Sequence, residues 1–401
     1  MFKLRVGIFS DAYKPLVSGV TTSLQMLVEG LKQQGHEVFV ITVSAKGGKA
    51  YDQEHPYVYR IKGMPIPKKG LTSYRFVRNS KKHLKYIEAL NLDVIHVHSE
   101  FTIGSVAIKV KKKLDIPMVF TVHTMYEEYL FYVSKFLSKL FRKTFMKMLK
   151  KLMSKFILNS EVTLAPSTKI KDLMLSYGID GNYKIVSTGI DLSKFKKSNY
   201  KAEEIKNLKD SLGIKENEFV CLFIGRVSSE KSIDVLVDGF NQANNDNMKF
   251  LIVGDGPGMG KLADQIKKCK LKDKVILTGM IPWESVGLYY QLGDCFLNAS
   301  ISETQGLTYI EALAAELPLV VKYDKVLEAV VEDNFNGLFF KDNSELPNLL
   351  NKIYQNPELL TELKKNTLKS VKKYSREVYA ENAIKAYTEA IEINKTKKLN
   401  M

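Results

Sequence analysis

Cysteine is nearly missing. Cys221, Cys269 and Cys295 are the three in 401 residues, too few and too scattered for a disulfide framework or a thiolate metal site. Cys221 and Cys295 lie in apolar runs and read as buried thiols, in keeping with a reducing compartment. No run of about 18 apolar residues occurs, which excludes a membrane-spanning helix but not a chain that lies on a membrane. Residues 4–10 already read as a core strand and leave no room for a cleavable signal peptide, so the expected location is the cytoplasmic side of the cell. No Asp-x-Asp pair is present, so no bound metal is expected. The stretch Gly254-Asp255-Gly256-Pro257-Gly258 lacks the Gly-Lys-Ser/Thr ending of a Walker A loop, which disfavours a P-loop ATPase.

Acid is the other deficit. Asp and Glu number 44 against 60 Lys and Arg, for a net charge of +16. Such a surplus suits a polyanionic partner: anionic lipid, nucleic acid or a phosphorylated substrate. The length exceeds what one core usually supports, so two domains of about 180–200 residues are expected.

Along the first half, strands at 4–10 and 38–43 flank a helical pattern over 21–34. Gly19 lies in the intervening loop, where a ligand could approach the backbone. Residues 46–73 are rich in glycine and proline and read as a long loop with one short strand at 57–61. A helix at 75–90, a strand at 94–98, a helix at 101–113 and a strand at 117–121 follow. His96, His98 and His123, three of only six histidines, fall at or beyond strand ends, where open α/β sheets bind ligands. Of the readings open to them, a zinc site is the least favoured, because it needs convergent ligands in a set geometry. His123 as a hydrogen-bonding or catalytic group is favoured over a purely structural histidine.

Residues 131–156 carry the charge imbalance. Lys135, Lys139, Arg142, Lys143, Lys147, Lys150, Lys151 and Lys155 occur there with no acid between them. At about 100° per residue, the Phe, Met and Leu side chains fall on one half of a helix and most cations on the other, with Lys151 and Lys155 straying. That is the pattern of a helix lying in an anionic interface with snorkelling lysines, and it is also that of a surface helix covering a core. The lack of acids favours the membrane. Nucleic acid is not expected, since no recognition module accompanies the helix. The first domain is expected to close at residue 190.

In the second half, a core strand at 219–224 ends in Gly225-Arg226-Val227-Ser228-Ser229-Glu230-Lys231. Two cations astride a strand-to-helix turn suit a diphosphate, Arg226 as a fork and Lys231 as a point charge. Strands at 248–253, 275–278 and 295–297 alternate with helical patterns. Then comes a segment, 301–312, in which Glu303 and Glu311 stand eight positions apart around the start of a helix. Backbone N–H groups of Gln305, Gly306 and Leu307 at such a start can meet a phosphate or a polarised hydroxyl. The second domain is expected over 191–375, and 376–401 as a helix returning to the first.

Gly225–Lys231 together with Glu303 and Glu311 resembles the retaining glycosyltransferases of family 4, whose paired glutamates share this spacing. The runs GIFSDAYKPLVSGVTTSL, VHTMYEEY and STGID are also similar to that family, over nearly the whole chain. Within it, the N-terminal run, the segment around His123 and the basic helix are most similar to the bacterial α-monoglucosyldiacylglycerol synthases. The resemblance implies an α/β fold of the GT-B type, two Rossmann-like domains facing across a cleft. It implies that Glu311 holds the ribose, Glu303 the transferred sugar, and Arg226 and Lys231 the leaving diphosphate. Gly19 would let the first domain approach the phosphate, His123 would sit by the donor sugar, and Asp11 would line the acceptor pocket. The implied reaction moves glucose from UDP-glucose to diacylglycerol on an anionic phospholipid surface, as a peripheral enzyme with no tightly bound cofactor. Any Mg2+ stimulation would act through lipid or free nucleotide. Alternatives are another acceptor (phosphatidylinositol, a polyprenyl-linked sugar, a wall polymer, a soluble sugar), an epimerase, or a non-catalytic lipid- or nucleotide-binding protein.

Replacing Lys139, Lys143 and Lys147 by Glu is expected to abolish co-sedimentation with anionic liposomes while circular dichroism stays unchanged. Undiminished liposome binding would return the segment to an ordinary surface helix.

Overall fold

The computed structural model describes residues 3–16, 18–65, 75–77, 81–123, 135–300 and 303–400, with the side chains of the helix Lys135–Ile157 described from residue 144 onward. Contacts divide the chain into two units, Met1–Gly189 with Arg376–Met401, and Ile190–Ser375. The boundary falls one residue before the expected one.

Strands β1 (Arg5–Phe9), β2 (Glu37–Val43) and β3 (Val58–Ile61) open the first unit, followed by the two-residue strands β4 (Met64–Pro65) and β5 (Arg75–Phe76), which pair with each other. β6 (Val94–Val97), β7 (Met118–Thr121), β8 (Val162–Ala165) and β9 (Tyr183–Ile185) complete it. Its large sheet is parallel, in the order β3-β2-β1-β6-β7-β8-β9. Such a sheet is buried on both faces, which is why its strands are continuous apolar runs. Ile95 and Val97 face one core with the helices Thr102–Leu114 and Lys135–Ile157. Val94 faces the other with the helices Gly19–Gln33 and Arg376–Leu399. The order reverses at β1, so the carboxyl ends of β1 and β6 form its topological switch point.

The second unit repeats the plan with β10 (Phe219–Ile224), β11 (Met248–Val253), β12 (Val275–Leu277), β13 (Cys295–Asn298), β14 (Leu319–Lys322) and β15 (Gly337–Phe340). The order is β12-β11-β10-β13-β14-β15, all parallel, with the reversal between β10 and β13. Side chains alternate between two cores, Phe219, Cys221 and Phe223 on one face and Val220, Leu222 and Ile224 on the other. Cys221 and Cys295 are paired in register, buried, and free, with their sulfurs 3.9 Å apart.

Three local expectations change. The loop at 46–73 contains the helix Gly48–Glu54, tied down by an ion pair from Arg60 to Asp52 and by Tyr51 stacked on His55. Residues 75–76 are a strand paired antiparallel with β4, and the helix is described over Lys81–Ala89. The stretch 191–218 includes the helix Ala202–Ser211, whose first turn is capped when Glu204 accepts from the Lys201 N–H at 2.8 Å. Ile205, Leu208 and Leu212 pack from that segment against the second core at helical spacing, a signal the lysines had masked.

The basic helix is also used differently along its length. Leu149, Met153, Phe156 and Ile157 are buried in the first unit's core, so from residue 149 onward the apolar stripe belongs to the protein. Lys147 is exposed and Met148 is 62% exposed. Lys150 lies half-buried, its Nζ 5.2 Å from the Tyr177 ring, which turns it back toward the protein surface and away from the expected lipid-facing row. The side chains of Lys135, Lys139, Arg142 and Lys143 lie outside the described residues.

In the second unit, the loops after β10 and β11 touch backbone to backbone. A Cβ at Gly254, whose φ is 134°, would stand 1.9 Å from the Gly225 carbonyl oxygen. Gly254→Ala is therefore expected to destabilise this unit by about 2–4 kcal/mol. The single tryptophan, Trp283, lies in the same unit, so its fluorescence in a urea titration reads the loss directly.

Candidate active site

The reversal in the second sheet brings together residues far apart in sequence. The loop after β10 carries Arg226 and Lys231, and the loop after β13 carries Ser300 and Glu303. Lys231 Nζ donates to Glu303 Oε1 at 2.6 Å and reaches Ser300 Oγ at 3.4 Å. Asn298 Oδ1 shapes the same loop by accepting from the Ser300 N–H at 2.8 Å. Arg226, at 58% exposure, pairs with Glu230, which also accepts from Ser228 Oγ. Both cations thus stand at the strand ends with carboxylates as counterions, which an incoming anion can replace.

The helix Leu307–Ala314 starts at Gly306, whose φ of 81° is the left-handed conformation that glycine tolerates. A Cβ there would also meet the Tyr309 ring at 2.8 Å. This turn points the amides at the helix start outward, with Gln305 buried just ahead of it. Glu311, one helical turn on, is buried, and Tyr290 in the helix Val286–Tyr290 donates to its Oε2 at 2.8 Å. Burial pushes the Glu311 carboxyl up to about 7, against the Tyr290 hydrogen bond and the charge of Lys194, which favour the ionised form. Lys194 in turn donates to the Trp283 carbonyl and lies 3.9 Å over its ring. The Tyr309 hydroxyl is buried with no hydrogen-bond partner, and burial, then the charges of Glu303 and Asp324, push it up.

The first unit has its own cluster at its switch point. Asp11 follows β1, and its carboxylate accepts from Ser99 Oγ at 2.6 Å, Thr102 Oγ1 at 2.7 Å and the Ile103 N–H at 3.1 Å. It thereby caps the helix Thr102–Leu114. Burial nevertheless raises its pKa. Asp11 also lines a cavity of about 560 Å3 with Tyr13, Thr42, Lys46, Arg60 and Arg75, so it stands there as a committed wall group and not as a free base. Gly19 is the first residue of its helix, behind the Ser18 cap, and a Cβ there would meet nothing within 4 Å. His96 bonds Tyr387 and Thr121 through its two ring nitrogens, both at 2.7 Å, while His98 Nδ1 and His123 Nε2 are 2.8 Å apart. Both nitrogens of His96 are thus taken, and no cluster of metal-ligating side chains occurs among the described residues.

Residues 17–194 match Glycosyltransferase Family 4, and residues 204–370 match Glycosyl transferases group 1. The chain is 44% identical over 399 residues to the alpha-monoglucosyldiacylglycerol synthase of Acholeplasma laidlawii, covering 99% of this chain and 100% of that one. The chain belongs to glycosyltransferase family 4.

A second relative of the same name, from Streptococcus pneumoniae, is 32% identical over 89% of this chain and 80% of its own. Among solved structures, the Anabaena protein HepE in complex with UDP and glucose matches with a TM-score of 0.75 at 17% identity, over 96% of this chain and 99% of that one. The fold is GT-B, two Rossmann-like parallel-sheet domains. In this glycosyltransferase the second domain gathers Arg226, Lys231, Glu303, Gly306 and Glu311 at one set of strand ends, and the first gathers Asp11, His98 and His123 at another. Sequence reasoning passed over Tyr290, Lys194 and Tyr309. Tyr290 sits in an apolar run that reads as packing alone, and only the fold shows its hydroxyl on Glu311.

Burial holds His96 and His98 well below the ordinary imidazole range and His123 at about 4. Between about pH 6.5 and pH 4 the unfolded chain therefore binds protons at three histidines that the folded one does not, and stability falls as pH falls, the raised Glu311 and Asp11 carboxyls offsetting part of the loss by taking up protons in the folded state. Urea unfolding followed by far-ultraviolet circular dichroism is expected to lose about 1 kcal/mol or more per pH unit below pH 6.5. A flat profile from pH 7 to 4.5 would contradict burial of neutral imidazoles.

Proposed function

We propose that this glycosyltransferase transfers glucose from UDP-glucose to the free hydroxyl of 1,2-diacylglycerol, with retention, as a peripheral enzyme on an anionic membrane. The observation that carries the reading is 44% identity over 99% of the chain to an enzyme named for that product. The geometry is compatible with it. Departure of UDP places charge on the distal phosphate, and cations plus helix-end amides fixed beforehand stabilise such charge most. Arg226 and Lys231 are the cations, and Gln305, Gly306 and Leu307 supply the amides. When the phosphate takes Lys231, Glu303 is released to accept from hydroxyls of the sugar. Glu311 has one oxygen held by Tyr290, which leaves the other for a ribose hydroxyl. Family resemblance assigns Gly19 to the phosphate and His123 to the donor sugar.

The acceptor's hydroxyl proton passes to the departing phosphate on the same face, so neither Asp11 nor a bound metal is assigned as base. Any Mg2+ effect is assigned to lipid or free nucleotide. Lys147 and the cations before it supply attraction to anionic lipid, each worth on the order of 1 kcal/mol near a charged surface.

Purified protein is expected to release UDP from UDP-glucose when given diacylglycerol in phosphatidylglycerol-rich micelles. Release only with a different acceptor would sink the acceptor assignment. Arg226→Ala and Lys231→Ala are each expected to weaken UDP binding by roughly 10–100-fold, as removal of a charge-assisted contact does. Calorimetry showing wild-type affinity in both would remove the donor site from this loop.

A further inference from the structure

His98 takes no part in the reaction as proposed, and packing does not explain it. Its imidazole is 2% exposed, its Nε2 is buried with no hydrogen-bond partner, and an apolar ring there would avoid that unmet group. What His98 does make is one bond, Nδ1 to His123 Nε2 at 2.8 Å, with the two rings stacked at 5.1 Å. We propose that His98 is a positioning residue that, through this bond, locks the His123 ring in one orientation and one tautomer, so that Nδ1 of His123 is the atom presented to the donor sugar.

A bond between two ring nitrogens needs one proton and one lone pair, and the buried His98 Nε2, with no partner, is less costly as a bare lone pair than as an N–H, which puts the shared proton on His98 Nδ1 and leaves His123 protonated at Nδ1. The pair is backed by a rigid wall. His96 packs on His98 with centroids 3.9 Å apart, and is itself held by Tyr387 Oη and Thr121 Oγ1. Tyr387 comes from the helix Arg376–Leu399, so the C-terminal segment buttresses the stack. Among the described residues, the groups packed on the pair are another imidazole and, behind it, a phenol and a hydroxyl, and burial keeps both rings uncharged. An uncharged ring suits its assigned place: a cation beside a sugar carbon that turns positive as UDP leaves would oppose the reaction, whereas a neutral nitrogen can hold a sugar hydroxyl.

The inference rests on the proposed place of His123 beside the donor, and its test separates the two. His98→Leu is expected to lower kcat roughly ten-fold or more, as loss of a supporting hydrogen bond to a functional histidine does, with UDP affinity unchanged. His98→Asn, whose amide falls near the position of Nδ1, should recover most of the rate. Nitrogen-15 NMR of the unliganded protein should show a single His123 tautomer in the wild type and in His98→Asn, and a mixture in His98→Leu. A single tautomer in a folded His98→Leu, or an undiminished kcat in it, would overturn the proposal. Should His123→Ala keep full activity while the NMR result holds, the hydrogen-bond lock stands and the placement of His123 at the donor falls.

Discussion

The ion pair between Lys231 and Glu303 depends on a single constraint, the point at which a parallel sheet reverses its strand order. The two residues are 72 positions apart, yet β10 and β13 are neighbours, and the loops leaving their carboxyl ends converge. Parallel strands send every such loop to one edge of the sheet, and the reversal parts two of them to leave a crevice. The glycines follow from it. Gly254 lets the β11 loop rest on the β10 loop, and Gly306 turns the chain from the crevice into the helix that bears Glu311. Arg226 leaves the same strand end as Lys231, and Glu311 stands one helical turn beyond Gly306.

Both domains place titratable groups in dry surroundings, with opposite consequences. Burial raises Glu311 toward neutrality and keeps the three histidines uncharged. The cations stay nearer to solvent, Arg226 most of all. Positive charge is therefore kept where it is cheaply hydrated, while Glu311 and the histidines are set in buried hydrogen-bond networks. Tyr290 on Glu311 and His98 on His123 are the same device in the two domains, a buried neutral partner that orients a functional side chain.

Much of the fold was legible because parallel strands are apolar runs and their helices are amphipathic. The helices Gly48–Glu54 and Ala202–Ser211 were missed, the first because its stability comes from the Arg60–Asp52 pair and aromatic stacking, the second because lysines obscured its apolar spacing. The basic helix shows the limit of reading a stripe. Phe, Met and Leu on one side serve a bilayer or a core equally well, and only tertiary contact assigns Leu149, Met153 and Phe156 to the core.

Residue type and spacing alone determined the two alternating α/β halves, the surplus of positive charge, and the presence of two cations and two glutamates at strand ends. These are local properties, written in periodicity and in short motifs. The tertiary structure decided that Lys231 meets Glu303, that Asp11 is spent on capping a helix, that Tyr290 holds Glu311, and that His98 grips His123. The reason is physical: a hydrogen bond between distant segments depends on strand order and burial, and neither is a property of the residues that form it.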